Sequence, residues 1–402
     1  MKILIAHNAY QHRGGEDVVV DAEIALLREH GHEVDIYRRH NDELAHNPVG
    51  AATSAIWSRR TVTEIERMFE REQPDLIHVH NTFPLISPSL YWSAARHRIP
   101  VVQTLHNFRL LCPQAMFLRD SKVCEDCLGK VPWRAVTRKC YRGSAAQSAV
   151  LSGMLMVHDA IGTWREKVTR YIALNEFCRA RFIQGGLPPD RILIKPHFVK
   201  AHGQPEWQAR EGGLFVGRLA PEKGIDVLIA ALQMVSQSSY SPPTRAGVRI
   251  RIAGDGPLKE PVQRQFGSDY LGYRDSGEVA DLMGRALYLV APSTCYETFG
   301  MVAIEAFASG TPVIASRHGG LGDLIRDGET GLLFEPGNAT ALAERLRWAN
   351  DHPDEMKRMG RLARADYERR YTPAQNHAML MNIYRDAIAA AGETSNAAHN
   401  AA

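Results

Sequence analysis

The sequence predicts an α/β protein of two domains, each with a parallel β-sheet flanked by helices. Short β-branched runs alternate with amphipathic segments from Lys2 to Lys195 and again from Leu214 to Phe334, which is the pattern of successive βαβ units. A chain of 402 residues is also longer than one hydrophobic core usually organises. Between the two series, residues 196–213 are rich in Pro and Gly and lack periodicity, as expected of a hinge.

The strands can be placed in order, each as a short run rich in β-branched residues. In the first half they are Lys2–Asn8, Glu33–Arg38, Asp75–His80, Pro100–His106, Tyr171–Asn175 and Ile192–Lys195. In the second half they are Leu214–Leu219, Val248–Ala253, Tyr288–Pro292, Pro312–Ser316 and Gly331–Phe334. The first connecting segment illustrates the helical pattern, because Val19, Ala22, Leu26 and Leu27 fall on one helix face and Gly31 offers a C-cap.

These elements define the predicted domain boundaries. We place one domain at residues 1–198 and a second at 199–372. A helix over 373–391 follows the last strand and is expected to pack back on the first domain. The small, polar tail 392–402 is expected to be disordered.

Composition and charge limit the function. Lys and Arg number 48 against 45 Asp and Glu, so the net charge of +3 argues against a general nucleic-acid binder. Residues 1–7 turn polar after four residues and lack the apolar core of a signal peptide. The most apolar long stretch, Ala145–Trp164, carries His158 and Asp159, which would be costly in a bilayer. We therefore expect a cytoplasmic protein.

Two basic residues follow the first strand of the second half. Arg218 can offer paired donors and Lys223 a compact charge, just before a helix that starts from Gly224. A charged hydrogen bond to phosphate contributes about 1.5–3 kcal/mol, so this pair suits a diphosphate. The alternative is an exposed loop with incidental basic residues.

Two carboxylates flank a predicted helix start further along. Glu297 falls in the turn after a strand, and the helix beginning near Gly300 can turn its unpaired N–H groups toward an anion. A side chain at Gly300 would hold such a ligand away. Glu305 lies in the apolar helix itself, where paired ribose hydroxyls could supply the donors it needs. An ion pair with an arginine such as Arg317 is the alternative.

Glycine turns supply further candidate sites. Gly254–Pro257 and Leu271–Tyr273 follow strands of the second half, at the ends where open α/β sheets bind ligands. Gly14 and Gly15 follow the first strand and could bring backbone N–H groups close to phosphate, although no dinucleotide-type glycine pattern is present. All three are also compatible with ordinary turns.

Taken together, these motifs resemble one family. Glu297 and Glu305 match the Glu-x7-Glu motif of glycosyltransferase family 4, retaining enzymes with the GT-B fold. The segments 218–224, 254–257 and 310–315 fit the same family in the same order, and the resemblance runs from Lys2 to about Tyr384. It implies two Rossmann-like domains facing across a cleft, with a C-terminal helix crossing back to the first.

The resemblance also implies roles for residues. Arg218 and Lys223 are similar to a diphosphate clamp, Glu305 to the ribose ligand and Glu297 to the residue facing the donor sugar. His106, at the end of a strand, resembles the family's active-site histidine near the reacting carbon, although a histidine there is also compatible with a structural role. The other implied binding positions are Phe299, Gly300 and Met301 around sugar and phosphate, Gly14 and Gly15 opposite them, and Gly272 and Tyr273 near the base.

The implied reaction is hexosyl or other glycosyl transfer with retention, from a nucleoside-diphosphate sugar (UDP or GDP) to a glycan or lipid-linked acceptor. The resemblance favours the biosynthesis of cell-surface exopolysaccharide or lipopolysaccharide. No catalytic metal is expected, because Arg218 and Lys223 would stabilise charge on the leaving diphosphate. A non-catalytic nucleotide-sugar sensor and a GT-B epimerase or phosphorylase are the alternatives.

Two surface features lie outside these motifs. One is a group of four cysteines with a central Cys-x2-Cys: Cys112, Cys124, Cys127 and Cys140. This spacing favours a structural zinc site over unligated thiols, an iron–sulfur centre or disulfides.

The other is a set of aromatic and basic residues that could contact anionic lipid at the inner face of a membrane, or simply be solvated. It comprises Trp57, Arg59, Arg60, Arg134, Arg138, Lys139 and Arg142.

Overall fold

The computed structural model describes residues 1–11, 14–46, 48–207, 209–236 and 247–400. The chain divides into two compact units. Unit 1 comprises Met1–Phe117, Glu125–Pro196 and Asn376–Ala402, and unit 2 comprises Leu118–Cys124 and His197–Gln375.

The N-terminal half contains eight strands and eight α-helices within its described residues. The strands are β1 (Lys2–Ala9), β2 (Glu33–His40), β3 (Leu76–Asn81), β4 (Val101–Thr104), β5 (Leu118–Arg119), β6 (Lys122–Val123), β7 (Arg170–Ala173) and β8 (Ile192–Ile194). The helices are α1 (Gly15–Glu29), α2 (Pro48–Ile56), α3 (Arg59–Arg71), α4 (Ser89–Arg96), α5 (Trp133–Thr137), α6 (Ala145–Ala160), α7 (Thr163–Glu166) and α8 (Glu176–Gln184).

Unit 1 is built on a parallel sheet in the order β2-β1-β3-β4-β7-β8. Strand β3 is buried along its whole length, as expected of a parallel strand covered by helices on both faces. The strand order reverses between β1 and β3, and ligands of open α/β sheets bind beyond the carboxyl ends of strands at such a point. Strand β5 pairs only with β6, in a short antiparallel hairpin outside this sheet.

The C-terminal half contains six strands and eight α-helices within its described residues. The strands are β9 (Gly213–Val216), β10 (Ile250–Ala253), β11 (Tyr270–Gly272), β12 (Tyr288–Ala291), β13 (Val313–Ser316) and β14 (Gly331–Phe334). The helices are α9 (Ile225–Ser236), α10 (Lys259–Phe266), α11 (Ser276–Arg285), α12 (Met301–Ala308), α13 (Gly319–Leu324), α14 (Ala339–Asp351), α15 (Pro353–Arg370) and α16 (Pro373–Asn400).

Unit 2 is built on a second parallel sheet, in the order β11-β10-β9-β12-β13-β14. Its core packs Phe215 of β9, Ile252 of β10 and Val290 of β12 against helices α9 and α14. The strand order reverses between β9 and β12. The carboxyl ends of these two strands are therefore the expected ligand site of this unit.

Helix α16 belongs to unit 1. Its residues Leu380, Tyr384 and Ala387 are fully buried in the same core as Ile3 and Ile5 of β1. The helix continues to Asn400, through most of the segment 392–402 for which the sequence predicts disorder. Alanine is the strongest helix former, and an alanine-rich sequence offsets the roughly 1 kcal/mol that a glycine costs inside a helix.

The segment predicted to be a hinge makes buried contacts with unit 2. Arg210 donates to Thr311 Oγ1 at 2.7 Å and to the Ser309 carbonyl at 2.6 Å. Burial lowers the pKa of this guanidinium to about 10. The buried side chain of Arg210 thus binds its part of the chain to the rest of unit 2.

All eleven predicted strands are present in the structure, with ends that shift by a few residues. Strand β11 occupies a position where the sequence predicts only a glycine turn, and the hairpin of β5 and β6 is not predicted at all. Runs of two or three residues carry too little periodicity to indicate a strand. Among the helices of the described chain, none is both long enough and apolar enough to span a bilayer.

Candidate active site

The predicted ligand residues of unit 2 lie along the carboxyl edge of its sheet. Backbone hydrogen bonds join the loops beyond neighbouring strands: Leu219 N–H donates to the Asp255 carbonyl at 2.9 Å, and Gly254 N–H donates to the Gly272 carbonyl at 2.8 Å. On the other side, Thr294 N–H donates to the Glu222 carbonyl at 2.9 Å. The loops after β9, β10, β11 and β12 therefore form one continuous rim.

Glycines allow this close approach. Gly224 has a left-handed φ of 68°, and a Cβ there would lie 1.9 Å from the Pro292 carbonyl oxygen. A Cβ on Gly254, with φ of 150°, would lie 1.9 Å from the Gly217 carbonyl oxygen. Both contacts are far inside van der Waals distance, so the rim requires glycine at both positions.

Lys223 and Glu297 form an ion pair at this rim. Lys223 Nζ lies 2.6 Å from Glu297 Oε1, and Ser293 Oγ donates to the same oxygen at 2.7 Å. Burial alone would raise the pKa of Glu297, but the Lys223 ammonium lowers it on balance. Burial would likewise lower the pKa of Lys223, and the Glu297 carboxylate raises it on balance. Both groups therefore stay charged, and the Lys223 side chain is one third exposed.

Arg218 stands in a different environment. Its side chain is 67% exposed, and its closest carboxylate oxygen is Glu222 Oε1 at 3.8 Å. A pair this open contributes little to stability. The guanidinium can therefore turn to a ligand at little cost.

The turn that carries Glu297 is fixed by the next loop along the sheet. Gly320 N–H donates to the Glu297 carbonyl at 2.6 Å, and a Cβ on Gly319 would lie 3.0 Å from the backbone of Glu297. Phe299 is buried and packs edge-on against the ring of His197. The carboxylate is thus held on a rigid backbone.

Helix α12 begins directly after this turn. Its N-cap Gly300 has φ of 92°, and a Cβ there would lie 2.5 Å from a methyl group of Leu321. Glycine is therefore required by the fold as well as by the predicted ligand. The first turn closes with Ala303 N–H on the Gly300 carbonyl, so the amides of Met301 and Val302 have no acceptor within the helix and can serve an anion.

Glu305 lies one turn further along α12. Its carboxylate makes no hydrogen bond or ion pair with any part of the chain that the structure describes, and burial raises its pKa. Arg317, the alternative partner considered above, instead binds Asp327. A half-buried carboxylate that lacks a protein partner is available for ligand hydroxyl groups.

Gly272 and Tyr273 end strand β11 at the far side of the rim. Gly272 has φ of 73°, and the Tyr273 side chain is 75% exposed. The ring is therefore accessible for stacking. Nine of the predicted ligand positions thus lie in unit 2, and the structure brings them to one edge of its sheet.

The glycine loop of unit 1 opens helix α1. Gly14 is the N-cap, and its N–H donates to Asp17 Oδ2 at 2.9 Å. This amide is occupied by a carboxylate in the present conformation, which differs from the predicted phosphate cradle. A Cβ on Gly15 would meet nothing within 4 Å, so the surrounding protein does not require glycine there.

Glu16, which the sequence analysis did not single out, lies at the start of α1. It is almost buried, and its Oε2 accepts hydrogen bonds from Tyr10 Oη at 3.0 Å and from Asn107 Nδ2 at 3.3 Å. Burial raises its pKa to about 7. Because Asn107 follows His106, these bonds bring the start of α1 next to the predicted active-site histidine.

His106 follows strand β4 and is buried. Its Nε2 lies 2.8 Å from Nδ1 of His80, and the two rings are 5.1 Å apart. His80 in turn lies near Glu23 of α1. Neither residue was predicted from the sequence, although the alternation of His78 and His80 on one buried strand was a visible signal of an inward-facing polar row.

The four clustered cysteines form no disulfide in the part of the chain that the structure describes. Cys112 is buried, and Cys124, Cys127 and Cys140 are half-buried. The disulfide alternative is therefore not what the structure shows.

The chain matches two family models, one in each half. Residues 13–201 match Glycosyltransferase Family 4, and residues 210–366 match Glycosyl transferases group 1. Sulfoquinovosyl transferase SQD2 of Arabidopsis thaliana is 30% identical over 319 residues, which cover 78% of this chain and 56% of that protein. The matched region covers 64% of a D-inositol 3-phosphate glycosyltransferase of Streptomyces scabiei and 34% of one of Streptomyces coelicolor, so the chain spans only part of the length of these relatives.

Solved structures of similar fold cover nearly the whole chain. A sucrose-phosphate synthase of Thermosynechococcus elongatus has a TM-score of 0.70 at 20% identity, covering 97% of this chain and 99% of its own. HepE of Anabaena, solved in complex with UDP-glucose, has a TM-score of 0.63 at 18% identity, covering 95% and 99%. At this identity the likeness concerns the fold alone. With both halves matched by the family models, the chain belongs to glycosyltransferase family 4 and has the two Rossmann-like domains of the GT-B fold.

Proposed function

We propose that this protein transfers a glycosyl group from a nucleoside-diphosphate sugar to a glycan or lipid-linked acceptor, with retention at the anomeric carbon. The observation that carries the proposal is the rim of unit 2. There a lysine ammonium, an arginine, the start of a helix and an unpartnered carboxylate converge beyond β9 and β12. This combination supplies cations for two phosphates and an acceptor for ribose hydroxyls.

We assign to each group the role that the family resemblance implies, and the position of the group in the structure supports it. Lys223 and Arg218 bind the diphosphate, Lys223 from a fixed position and Arg218 from an open one. The backbone N–H of Met301 adds an uncharged donor at the helix start, and Phe299 and Gly300 before it also lie around sugar and phosphate. Glu305 accepts hydrogen bonds from the ribose hydroxyls. Glu297 faces the sugar. Gly272 and Tyr273 contact the base, and Gly14 and Gly15 of unit 1 contact the donor from their own loop.

In the proposed reaction the bond from the anomeric carbon to the diphosphate oxygen breaks and a bond to the acceptor oxygen forms. The leaving phosphate oxygen takes the acceptor proton, so no enzyme nucleophile is needed. Lys223 and Arg218 stabilise the negative charge that builds on this oxygen, which is electrostatic stabilisation by preorganised groups. His106 contacts the sugar near the reacting carbon. No metal is required in this scheme.

The donor is proposed to be a UDP or GDP sugar, and the complex of HepE with UDP-glucose is consistent with the first of these. The test is a panel of nucleotide sugars, scored by thermal stabilisation and by release of nucleoside diphosphate with and without acceptor. Binding to the native state raises the unfolding temperature by mass action. Stabilisation together with acceptor-dependent release supports transfer, and product of inverted configuration would contradict retention.

Two alternatives make different predictions in the same experiment. A non-catalytic nucleotide-sugar sensor would be stabilised without releasing nucleotide. An epimerase would change the sugar without an acceptor, and a phosphorylase would need inorganic phosphate. The ion pair of Lys223 with Glu297 favours transfer, because a sensor does not need a rigid carboxylate facing the sugar.

We also propose that unit 1 approaches an anionic membrane at the inner face, where a lipid-linked acceptor for exopolysaccharide or lipopolysaccharide would lie. Exposed apolar side chains support this, with Trp133 57% and Val131 55% exposed, near Met156 of helix α6. Ser152 of α6 donates to the Pro132 carbonyl, which joins the two elements. Val131 and Met156 also line the same cavity, and together with Trp133 they are the apolar residues of the proposed membrane surface.

Fewer basic residues of this surface carry an uncompensated charge than the sequence predicts. Arg60 binds Glu64 and Glu43, and Arg138 binds Asp126, so their charges are largely compensated. Lys139 and Arg142 are exposed and remain in the proposal. Arg134 lies 5.7 Å from the Trp133 ring.

The membrane proposal is tested by sedimentation with anionic and neutral liposomes at low salt. Trp133→Ser combined with Met156→Ser is expected to abolish binding to anionic liposomes. Leu362→Ser, at an exposed apolar residue of unit 2, is the matched control and leaves binding intact. No sedimentation of the unmodified protein would overturn the proposal.

A structural zinc ion bound by Cys112, Cys124, Cys127 and Cys140 is the remaining proposal. Four thiols of this spacing fit a closed tetrahedral site, which would brace the loop after His106. Elemental analysis is expected to find about one equivalent of zinc, which is lost in Cys127→Ser and kept in Cys178→Ala. Less than about a tenth of an equivalent in the unmodified protein would contradict it.

A further inference from the structure

Three histidines from distant parts of the chain come together in unit 1. His30 and His32 lie between α1 and β2, and His377 lies in α16. The rings of His30 and His377 stack with their centroids 3.7 Å apart, and Nε2 of His32 lies 3.4 Å from Nε2 of His377. None of the three belongs to the candidate active site, so the proposed transfer reaction does not account for this group.

The backbone holds the first two histidines in a fixed turn at the end of α1. The N–H of His32 donates to the Leu27 carbonyl at 3.1 Å, and the N–H of Gly31 donates to the Arg28 carbonyl at 3.0 Å. Gly31 has a left-handed φ of 78°. These are the two hydrogen bonds and the glycine of a Schellman motif, in which His30 is the C-cap. The end of the helix therefore sets the backbone positions of both imidazoles.

The third histidine is held by the packing of α16. Leu380 and Tyr384, three and seven residues beyond His377, are fully buried in the core of unit 1. Residues at these spacings share one face of a helix. His377 therefore lies on the face that α16 turns toward unit 1, which brings its ring to the end of α1.

The separation of the two Nε2 atoms suits a metal ion better than a hydrogen bond. Hydrogen bonds from N–H groups usually span about 2.7–3.2 Å, so the 3.4 Å between His32 and His377 is long for one ring donating to the other. Two nitrogens bound to one tetrahedral ion at about 2.0–2.1 Å are about 3.3–3.4 Å apart. The pair is thus spaced as two corners of a tetrahedral site.

The protonation states of the rings also suit a metal ligand. Burial lowers the pKa of His32 and of His377, and the neighbouring His30 lowers both further. Metal ions bind the neutral imidazole, so little proton competition is expected near neutral pH. In His30, Nδ1 lies 2.8 Å from the Leu26 carbonyl, which can only accept, so Nδ1 carries the proton and the neutral ring has its lone pair on Nε2.

We propose that His32 and His377 bind one divalent transition-metal ion, of the Zn²⁺ or Ni²⁺ type, through their Nε2 atoms, with water at the remaining positions. The ion joins the end of α1 to the start of α16 and so fastens the C-terminal helix to unit 1. When it binds, the ring that donates in the metal-free pair moves its proton from Nε2 to Nδ1, so that both Nε2 atoms present a lone pair.

The surroundings of the pair set the expected strength and selectivity. Nδ1 of His32 is buried without a hydrogen-bond partner in the described chain, so this ring lacks the second bond that usually orients a metal-bound imidazole. The site is therefore expected to bind zinc more weakly than the proposed cysteine site and to lose it on dialysis. Imidazole suits Zn²⁺ and Ni²⁺, whereas Mg²⁺ prefers oxygen ligands.

The first test is a calorimetric titration of the full chain with Zn²⁺ after treatment with a chelator. We expect a binding event that His32→Gln and His377→Gln each weaken by more than the roughly 10- to 100-fold that loss of an outer-shell group costs. Cys127→Ser should keep this event, which separates it from zinc bound by the cysteines. His352→Gln, at an exposed histidine of unit 2 that stacks on Trp348, is the matched control and should also keep it.

The second test measures whether the ion fastens α16. An ion that binds only the docked helix slows its local opening, which hydrogen exchange of the backbone amides reports. We expect slower exchange in α16 of the unmodified chain with Zn²⁺ and with Ni²⁺, but not with Mg²⁺. In His377→Gln none of the three ions should change the exchange.

The outcomes that contradict the inference are distinct. A titration without the event, or an event that both His32→Gln and His377→Gln keep, would overturn the metal site. An event that these two variants lose, with exchange in α16 equally fast with and without Zn²⁺, would overturn the fastening of the helix.

Discussion

Replacing Lys223 by alanine tests the diphosphate site at its most fixed cation. The ammonium lies 2.6 Å from Glu297 on a side chain that is one third exposed, whereas the Arg218 side chain is two thirds exposed. A charged hydrogen bond to phosphate contributes about 1.5–3 kcal/mol. Its loss weakens nucleoside diphosphate binding by a factor of roughly 10 to 150.

Turnover is expected to fall further than binding. Removing one preorganised donor from a developing negative charge lowers rate by roughly 100- to 1,000-fold, and Lys223 faces such a charge on the leaving diphosphate. Arg218→Ala is expected to have a smaller effect on binding, because its exposed guanidinium interacts in a more aqueous environment.

The assay uses the nucleotide sugar that stabilises the protein most, with kcat/KM from diphosphate release and Kd from calorimetry. Lys223→Arg keeps the charge and should recover part of the loss. Lys259→Ala, which removes an exposed ion pair with Asp255 in the same unit, is the matched control. A folded Lys223→Ala variant with Kd within twofold and turnover near normal would refute the clamp.

Three further predictions concern single positions. Glu305→Gln should lower nucleotide affinity roughly 5- to 30-fold, because the variant loses an acceptor for the ribose hydroxyls. Its stability at pH 8 should be unchanged or higher, because Glu305 has no partner in the described protein to lose. A drop in stability without a drop in affinity would indicate a structural role. Gly224→Ala should lower the free energy of unfolding by more than about 2 kcal/mol, because its Cβ meets the Pro292 carbonyl. Gly337 is also left-handed but lies in open space, so Gly337→Ala should lower the free energy of unfolding by only about 1 kcal/mol. Equal losses for the two variants in urea titrations would contradict this. Burial raises the pKa of Glu16 from 4.5 to about 7, so its contribution to stability is greatest below pH 4.5 and is lost as the pH rises to 7. Glu16→Gln should therefore be more stable than the unmodified protein at pH 8, by up to about 3 kcal/mol, and nearly equal to it at pH 5. A stability difference independent of pH would show that the burial argument is wrong.

The sequence was sufficient for the sheets because parallel strands covered on both faces are short apolar runs that stand out between helical segments. Strand β11, at Tyr270–Gly272, was missed because three residues form a strand only through their neighbour β10. The segment around Arg210 looked like a hinge, since nothing local reveals that a guanidinium will be buried against Thr311. In each case a tertiary contact decided the local structure.

In the candidate site, too, some positions could be predicted from local motifs and others depend on tertiary contacts. The positions of Lys223, Glu297 and Glu305 at the sheet edge could be predicted, because their motifs are contiguous and follow strand ends; their roles stay predictions. The buried polar contacts near His106 could not be predicted, because Glu23 and Lys195 are 172 positions apart and meet only when α1 and β8 pack on the same sheet. The glycine pair at the start of α1 was predicted as a phosphate loop, but only the structure shows that Asp17 occupies the Gly14 amide.

The most direct test is a crystal structure of the protein with bound nucleoside diphosphate. We expect phosphate oxygens within hydrogen-bond distance of Lys223 and Arg218, with the ribose hydroxyls on Glu305. Well-ordered ligand elsewhere, with Lys223 still paired only to Glu297, would contradict the proposed site in unit 2 and the function built on it.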